Sequence, residues 1–575
     1  MYTAQRNYRI LLPLLKDYGV RHVVISPGAR NIPFVKSVED DPDFTCYSVV
    51  DERGAAYFAI GIYLETGEPV ALSCTSGQAT RNYLPGLTEA YYRQAPIVAI
   101  MGDYPPSQID QLNMQCVRQS SVPSDTAKVT VTLPVVKDDD DARYCVRLVN
   151  QALTALTLHG GGPVQVNVPT IDQWARGRDR LEKPRRIWHH SLPDQDWPSL
   201  GRRSRVMVVV GQHSPFTASQ QAALDSFSEA TNSIVFVSHL SNYHGPRSVH
   251  GNPVLQRLGR VPSAAFRPDV VISIGGLLGD YDLRAFLSLG EYEHWRVGPD
   301  GEIRDTYGRM TRVFECDDEQ FFRRMAESLG DGPVAAPFFD AWAEAAAKVE
   351  PPDGLPLSQA YVAQALAPRL PAGCVLHLGI LNSLRHWDMV PLDPSIRVYS
   401  NVAGFGIDGS LSTFLGHAVA TERTSVLVIG DLSFFYDMNA IGNRHIKGNA
   451  RILVVNNGGG AEFRMTTNAA YQFGERANRF TAAAGHFGAA REWAEASGFR
   501  YVAARSTAEF DDGIGRFLED GEAPVLFEVF VTMEDDTRAV ELMRSPARGS
   551  RWARSVGRRL PPGLKAAVKR LIGMR

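Results

Sequence analysis

SVLVIGDLSFFYDMNAIGNRHIKGNARILVVNNGGGAEF, residues 425–463, decides how this 575-residue chain is read. Two apolar, β-branched runs, 426–429 and 452–455, bracket a segment of helical length, the pattern of a βαβ unit with parallel strands. Its crossover brings both strand ends to one edge of a sheet. Asp431 then stands at the carboxyl end of one strand and Asn457 at that of its neighbour. Gly458, Gly459 and Gly460 follow, a turn that lets backbone approach a ligand closely. One carboxylate, one amide oxygen and a nearby free carbonyl suit a hard divalent cation whose other ligands are diphosphate oxygens. A buried βαβ unit with an ordinary glycine turn explains the same stretch without chemistry, so companion motifs have to decide.

Working outward, the length exceeds one core and predicts three or four domains. A chain that is 44% hydrophobic and 21% charged is a globular enzyme in composition, neither disordered nor fibrous. A net charge of -3 gives no reason to expect nucleic acid as a partner. The six cysteines, Cys46, Cys74, Cys116, Cys145, Cys316 and Cys374, lack C-x-x-C spacing and read as reduced packing residues. The N-terminal stretch is interrupted by Arg9 and Lys16, so it reads as a first domain helix, not a signal peptide. With no apolar run of membrane-spanning length, a cytoplasmic location is expected.

Residues 1–175 alternate helix and strand, which argues a doubly wound α/β layer. A strand at 22–25 runs into the turn SPGAR (26–30), and a strand at 45–50 runs into Asp51, Glu52 and Arg53. At the start of a helix, Glu52 also has a plain structural reading as a charge on the helix dipole. A strand at 70–73 leads into Cys74, Thr75, Ser76 and Gly77; NYLP (82–85), Glu89-Ala90 and Gly102-Asp103-Tyr104-Pro105-Pro106 follow. An Arg-rich, Pro-punctuated stretch reads as a linker, and 206–349 as a second α/β layer with no catalytic motif of its own. Beyond Pro351-Pro352-Asp353-Gly354, the run from Gly404 to Ser412 opens a helix, which offers free N–H groups at a positive dipole end.

Gly430-Asp431 after one strand and Asn456-Asn457 after the next resemble the metal and diphosphate motif of thiamine diphosphate enzymes. Leu432 stands where most of those enzymes have glycine, and Gly-Asp-Leu-Ser resembles the variant of the menaquinone-pathway SEPHCHC synthases, the MenD family. SPG-x-R, DER, CTSG, NYLP, EA-x-Y, D-x-PP and Ser-Asn…Gly-Ile-Asp-Gly are similar to that family in the same order, so the resemblance covers roughly residues 5–535. It implies an α/β protein of three doubly wound parallel-sheet domains, of the pyruvate-decarboxylase-like type. The domains would be pyrimidine-binding (1–175), central (204–350, after a linker at 176–203) and diphosphate- and Mg-binding (355–540). It implies thiamine diphosphate as cofactor, with Mg2+ or Mn2+ held by Asp431, the Asn457 side chain and the Gly459 carbonyl. Cofactor contacts would come from Glu52, Ser76, Gly77, Asn401, Gly406, Ile407, Asp408, Gly430, Ser433 and Phe463. Glu52 would be the catalytic acid that drives the aminopyrimidine into its imino tautomer, with Arg30 and Gln115 as further catalytic residues. A homodimer or homotetramer would follow, because each site of such enzymes draws on two subunits.

The resemblance fails at positions that choose the substrate. Where the family has arginines, this chain has Tyr104 and Val402; the family's Asn-Gln pair is Met114-Gln115; its serine before Arg30 is Ala29. The basic pair of the central domain aligns with Tyr281-Asp282, and Glu462 replaces an apolar residue. Charged contacts to carboxylates are not replaceable by apolar groups. The sequence therefore favours a 2-oxo acid decarboxylase or carboligase with an altered, less carboxylated donor and an unknown acceptor. The alternative is the SEPHCHC synthase reaction itself, 2-oxoglutarate plus isochorismate; a third class is a non-catalytic cofactor-binding protein. His417 and His445 read as polar packing without a visible partner. Residues 544–575 hold ten Lys or Arg and no acid; apolar 564, 567, 568, 571 and 572 form one helical stripe, which reads as a docked or solvated tail or as a peripheral membrane contact.

Overall fold

The computed structural model describes residues 1–543 except 113, 172–176, 201–204, 259–263, 280, 330–337, 351, 466–467 and 487. The basic stripe of 544–575, and residues 176 and 201–203 of the expected linker, lie outside the described residues. By internal packing the chain divides into two compact units, 1–194 with 300–315, and 195–299 with the residues from 316 onward.

Three sets of parallel strands with flanking helices carry the fold, as the motif order implied. The first unit holds β1 (His22–Ile25), β2 (Thr45–Ser48), β3 (Val70–Cys74), β4 (Ile97–Asp103), β5 (Val129–Thr132) and β6 (Val164–Pro169), in the spatial order β2-β1-β3-β4-β6-β5. Every residue of β3, β4 and β6 is buried, which is why these strands read as continuous apolar runs and not as alternations. The order reverses between β1 and β3, so the turns after those two strands open into one crevice.

Residues 177–200 are more than a linker. They contain β7 (Trp188–Ser191), which pairs in parallel with β13 (Met310–Glu315). Its Arg- and His-rich sequence hides the strand because the anchors lie beside it: Ile187 is buried, and Arg185 donates to the Gly308 carbonyl at 2.8 Å and to Asp305 at 2.6 Å.

In the second unit, β8 (Val206–Val210), β9 (Ile234–Val237), β10 (Ser248–His250), β11 (Val270–Ile274) and β12 (Glu293–Val297) run in the order β10-β9-β8-β11-β12. The last sheet takes the order β15-β14-β16-β17-β19-β18. Its strands are β14 (Val375–Leu378), β15 (Arg397–Tyr399), β16 (Ser425–Gly430), β17 (Ala450–Asn456), β18 (Arg500–Ala504) and β19 (Val525–Phe530). The crossover from β16 to β17 is not one helix: a short helix, Asp431–Tyr436, and a 3₁₀ turn, Met438–Gly442, precede a loop. His417 is not partnerless, since its Nδ1 lies 3.0 Å from Nε2 of buried His377. None of the six cysteines is in a disulfide. Among the described residues no helix is long and apolar enough to cross a membrane.

Glu528 is fully buried on β19 and accepts from Asn456 Nδ2 (2.8 Å), the Ala490 N–H (2.9 Å) and the Tyr501 hydroxyl (2.7 Å), tying three segments at the end of the sheet. Glu528→Met keeps the volume but leaves these donors without their acceptor. A loss of about 1–3 kcal/mol, read as a lower urea midpoint, is expected. An unchanged midpoint would show that the three donors find other partners.

Candidate active site

In the first unit the crevice between β1 and β3 gathers the residues picked from the sequence. Asp51 caps the helix Glu52–Thr66 through a 3.0 Å bond from the Arg53 N–H, which leaves Glu52 on the first turn, half-buried. Asn82 Nδ2 donates to Glu52 Oε2 at 3.3 Å. Gly77 has φ +80, a left-handed conformation that favours glycine, and a Cβ there would lie 3.0 Å from Gln115 Cγ. Ser76 is fully buried and its hydroxyl has no partner. The residue that holds this turn is one the motif reading missed: Gln119, buried, accepts the Gly77 N–H at 2.9 Å through Oε1. Its only signal in the sequence is a polar residue in a loop.

Arg30, half-buried, donates Nη1 to the Thr170 carbonyl at 3.1 Å, and its guanidinium stacks 3.8 Å from the centroid of the Tyr104 ring. The tyrosine that stands in place of an arginine thus covers the arginine that is kept. The hydroxyl of Tyr104 donates to the Met114 carbonyl at 3.0 Å, and Gln115 itself is exposed. Burial pushes Asp103 up to about 6, partly opposed by the Tyr104 N–H and by Arg30.

In the second unit Asn401, Gly406 and Asp408 line one open pocket of about 510 Å³ with Gln212, Ser400, Ala403 and Gly404. Gln212 follows β8 and reaches the Ser400 carbonyl at 2.8 Å. Asn401 Nδ2 donates to Thr413 Oγ1 at 3.0 Å. The Ser433 hydroxyl donates to the Ile407 carbonyl, so the 406–408 turn is tied to the helix that Asp431 opens. Gly430 caps that helix through its backbone, and the Phe463 ring packs against Gly460.

Asp431, Asn457 and Gly459 come together as expected. Asp431 is 2% exposed; Oδ1 accepts the Leu432 N–H at 2.7 Å and Oδ2 the Gly459 N–H at 3.0 Å. Asn457 Oδ1 accepts the same Gly459 N–H at 3.2 Å. Gly459 is irreplaceable by geometry, since a Cβ would meet Met533 Cε at 2.4 Å and Ala484 Cα at 2.7 Å. Two further residues complete the arrangement. His486 Nε2 lies 3.0 Å from Asp431 Oδ2, and Asp536 Oδ2 accepts from Asn457 Nδ2 at 2.9 Å, which turns the Asn457 oxygen away from Asp536. Burial raises Asp431 and pushes Asp536 up to about 6, the neighbouring Asp431 adding to the latter. The buried Asp431 carboxyl, with the Asn457 amide oxygen beside it and Asp536 orienting that amide, is a donor set that fits a hard dication. The buried hydroxyls of Ser400 and Ser410, without partners, fit the oxygens of a diphosphate.

Of the positions that depart from the family pattern, Val402 is built into the core, whereas Met114 and Tyr281 are exposed. Val402 is fully buried, where an arginine would have to displace apolar packing. Glu462 Oε2 sits 2.5 Å from Arg385 Nη1, both side chains nearly buried, while Arg385 Nη2 is buried without a partner. Arg385, which no motif singled out, also lies 5.4 Å from the Tyr281 ring centroid. Asp282, aligned with the other half of the basic pair, accepts from Gln256 Nε2 at 2.9 Å.

Residues 6–122 match the model of the thiamine pyrophosphate enzyme N-terminal TPP binding domain. Curated relatives extend the match over the whole fold. The 2-succinyl-5-enolpyruvyl-6-hydroxy-3-cyclohexene-1-carboxylate synthase of Bacteroides fragilis is 35% identical over 559 residues, 94% of this chain and 99% of its own length. The protein of that name from Phocaeicola vulgatus is 35% identical over 93% and 97% of the two chains, and that from Desulfotalea psychrophila 32% over 89% and 96%. On this end-to-end similarity, and with the crevice residues in place, the chain belongs to the 2-succinyl-5-enolpyruvyl-6-hydroxy-3-cyclohexene-1-carboxylate synthase family of thiamine diphosphate enzymes.

Proposed function

We propose that the chain is a thiamine diphosphate- and Mg2+-dependent SEPHCHC synthase, which decarboxylates 2-oxoglutarate and transfers the remaining acyl unit to isochorismate. The observation that carries this reading is the similarity to proteins named for that reaction over 94% of the chain. When bound, thiamine diphosphate supplies the electron sink that CO2 loss requires. The protein supplies placement and protons. Asp431, Asn457 and the Gly459 carbonyl would hold the cation; Asn401, Ser400 and the 404–408 backbone would hold the diphosphate. Glu52 would keep a proton on its carboxyl for exchange with the pyrimidine ring, Asn82 fixing the position of Oε2. Arg385, through its unpaired Nη2, and Arg30 are guanidiniums suited to substrate carboxylates.

A second reading, a donor with fewer carboxylates such as pyruvate, is favoured by one specific feature. Glu462 neutralises Arg385, while Val402 and Tyr104 supply no replacement charge. Each missing charged contact to a buried carboxylate costs about 2–5 kcal/mol.

Assembly is part of the proposal. The helix Glu52–Thr66 buries only Ala55, Ala56, Ala59 and Ile60, and leaves Tyr57 (48%), Phe58 (46%) and Leu64 (60%) exposed. Apolar surface of this kind beside a half-exposed catalytic acid suits a second copy of the chain.

Three outcomes test the proposal. Glu52→Gln should slow exchange of the thiazolium C2 proton with deuterium by about 10²-fold or more while cofactor still binds; an unchanged rate would remove Glu52 from the mechanism. Sedimentation should give at least a homodimer, which Phe58→Glu weakens; an active monomer would sink the assembly. With isochorismate present, CO2 release from 2-oxoglutarate should exceed that from pyruvate. The reverse order establishes the second reading, and Glu462→Leu should then restore 2-oxoglutarate use by about tenfold or more by freeing Arg385.

A further inference from the structure

Away from the pocket, the second unit gathers His239, His250 and Asp388. His239 follows β9, His250 ends β10, and Asp388 closes the helix Asn382–Trp387. One nitrogen of each imidazole and one carboxylate oxygen lie within 4.8 Å of one another, and the two rings are 4.6 Å apart between centroids. His239 and Asp388 are both 4% exposed, whereas His250 keeps its side chain about one-third in solvent (37%). The set is therefore buried but reachable.

The surrounding bonds prepare these groups as ligands. His239 Nε2 lies 3.0 Å from the Trp387 carbonyl and 2.8 Å from that of Val390, so this nitrogen carries the proton and Nδ1 keeps its lone pair. Burial, with His250 beside it, lowers His239 to about 4, which leaves the imidazole neutral. His250 Nδ1 is buried without a hydrogen-bond partner and stands 3.7 Å from Asp388 Oδ1. Asp388 is oriented by the His239 N–H at 3.1 Å on Oδ1 and by Asn252 Nδ2 at 2.9 Å on Oδ2. Asn252 Oδ1, also buried and unpaired, is a fourth donor atom nearby.

We propose that His239, His250 and Asp388 form a binding site for a divalent transition metal of the zinc class. Two imidazole nitrogens and one carboxylate suit Zn2+, Co2+ or Ni2+, whereas Mg2+ prefers oxygen ligands alone. The ion would join the ends of two strands to the helix that carries Arg385, and so brace the arginine that faces Glu462.

The test uses the full chain without a histidine tag, saturated with thiamine diphosphate and Mg2+. Zn2+ is titrated against a chromogenic chelator, Co2+ by its visible absorption, and the thermal midpoint is read with and without Zn2+. Wild type should take up one Zn2+ per chain in excess Mg2+ and be stabilised by it. His250→Gln should bind about tenfold or more weakly and lose the stabilisation, with unchanged circular dichroism. His445→Gln, at an exposed histidine, should match wild type. Equal Zn2+ affinity in wild type and His250→Gln would overturn the proposal and leave a plain imidazole–carboxylate contact; because His250 is partly exposed, this variant stays informative even if Asp388→Asn does not fold.

Discussion

A carboxylate only 2% exposed, placed at the end of a strand buried up to its last residue, is the constraint on which the rest of the second unit depends. Asp431 receives two backbone N–H groups and one imidazole nitrogen, and burial still raises it. Removing an ionised carboxylate from water costs several kcal/mol unless charge and hydrogen bonds return it. The glycine turn, the amide of Asn457 held by Asp536, and the short helix from Asp431 are arranged around that deficit. A dication beside a diphosphate would relieve it.

The same logic applies within each unit. Polar groups near the pocket of the second unit, Ser400 and Ser410, are buried with unused hydroxyls, so that region is shaped for a ligand. At the positions that depart from the family pattern the opposite holds: in the second unit Val402 belongs to the core and Glu462 pairs with Arg385, and in the first unit Tyr104 covers Arg30. An arginine already paired with a glutamate offers less to an incoming carboxylate. Arg385 nevertheless keeps one unpaired nitrogen, so a carboxylate could still dock there.

Much of this was legible in the sequence, for physical reasons. Buried parallel strands must be apolar throughout, which made 426–429 and 452–455 readable, and a turn at φ +158 demands glycine, which made Gly459 stand out. What stayed hidden was carried by residues brought in from far along the chain. His486 reaches Asp431 across 55 positions and Asp536 reaches Asn457 across 79, with no local pattern to announce either. Strand β7 was read as linker because it holds no aliphatic residue, only Trp188, His189, His190 and Ser191, and the arginine that anchors it, Arg185, precedes it and packs its stem while its tip finds partners. The crossover from β16 to β17 was expected as a helix on length alone, but only its first turns are helical.

The most direct measurement is the anomalous difference map of crystals grown with thiamine diphosphate and Mn2+. The account expects one strong peak bounded by Asp431, the Asn457 Oδ1 and the Gly459 carbonyl, with His486 withdrawn from Asp431. Bound cofactor without a peak at Asp431, or manganese held only elsewhere, would contradict it.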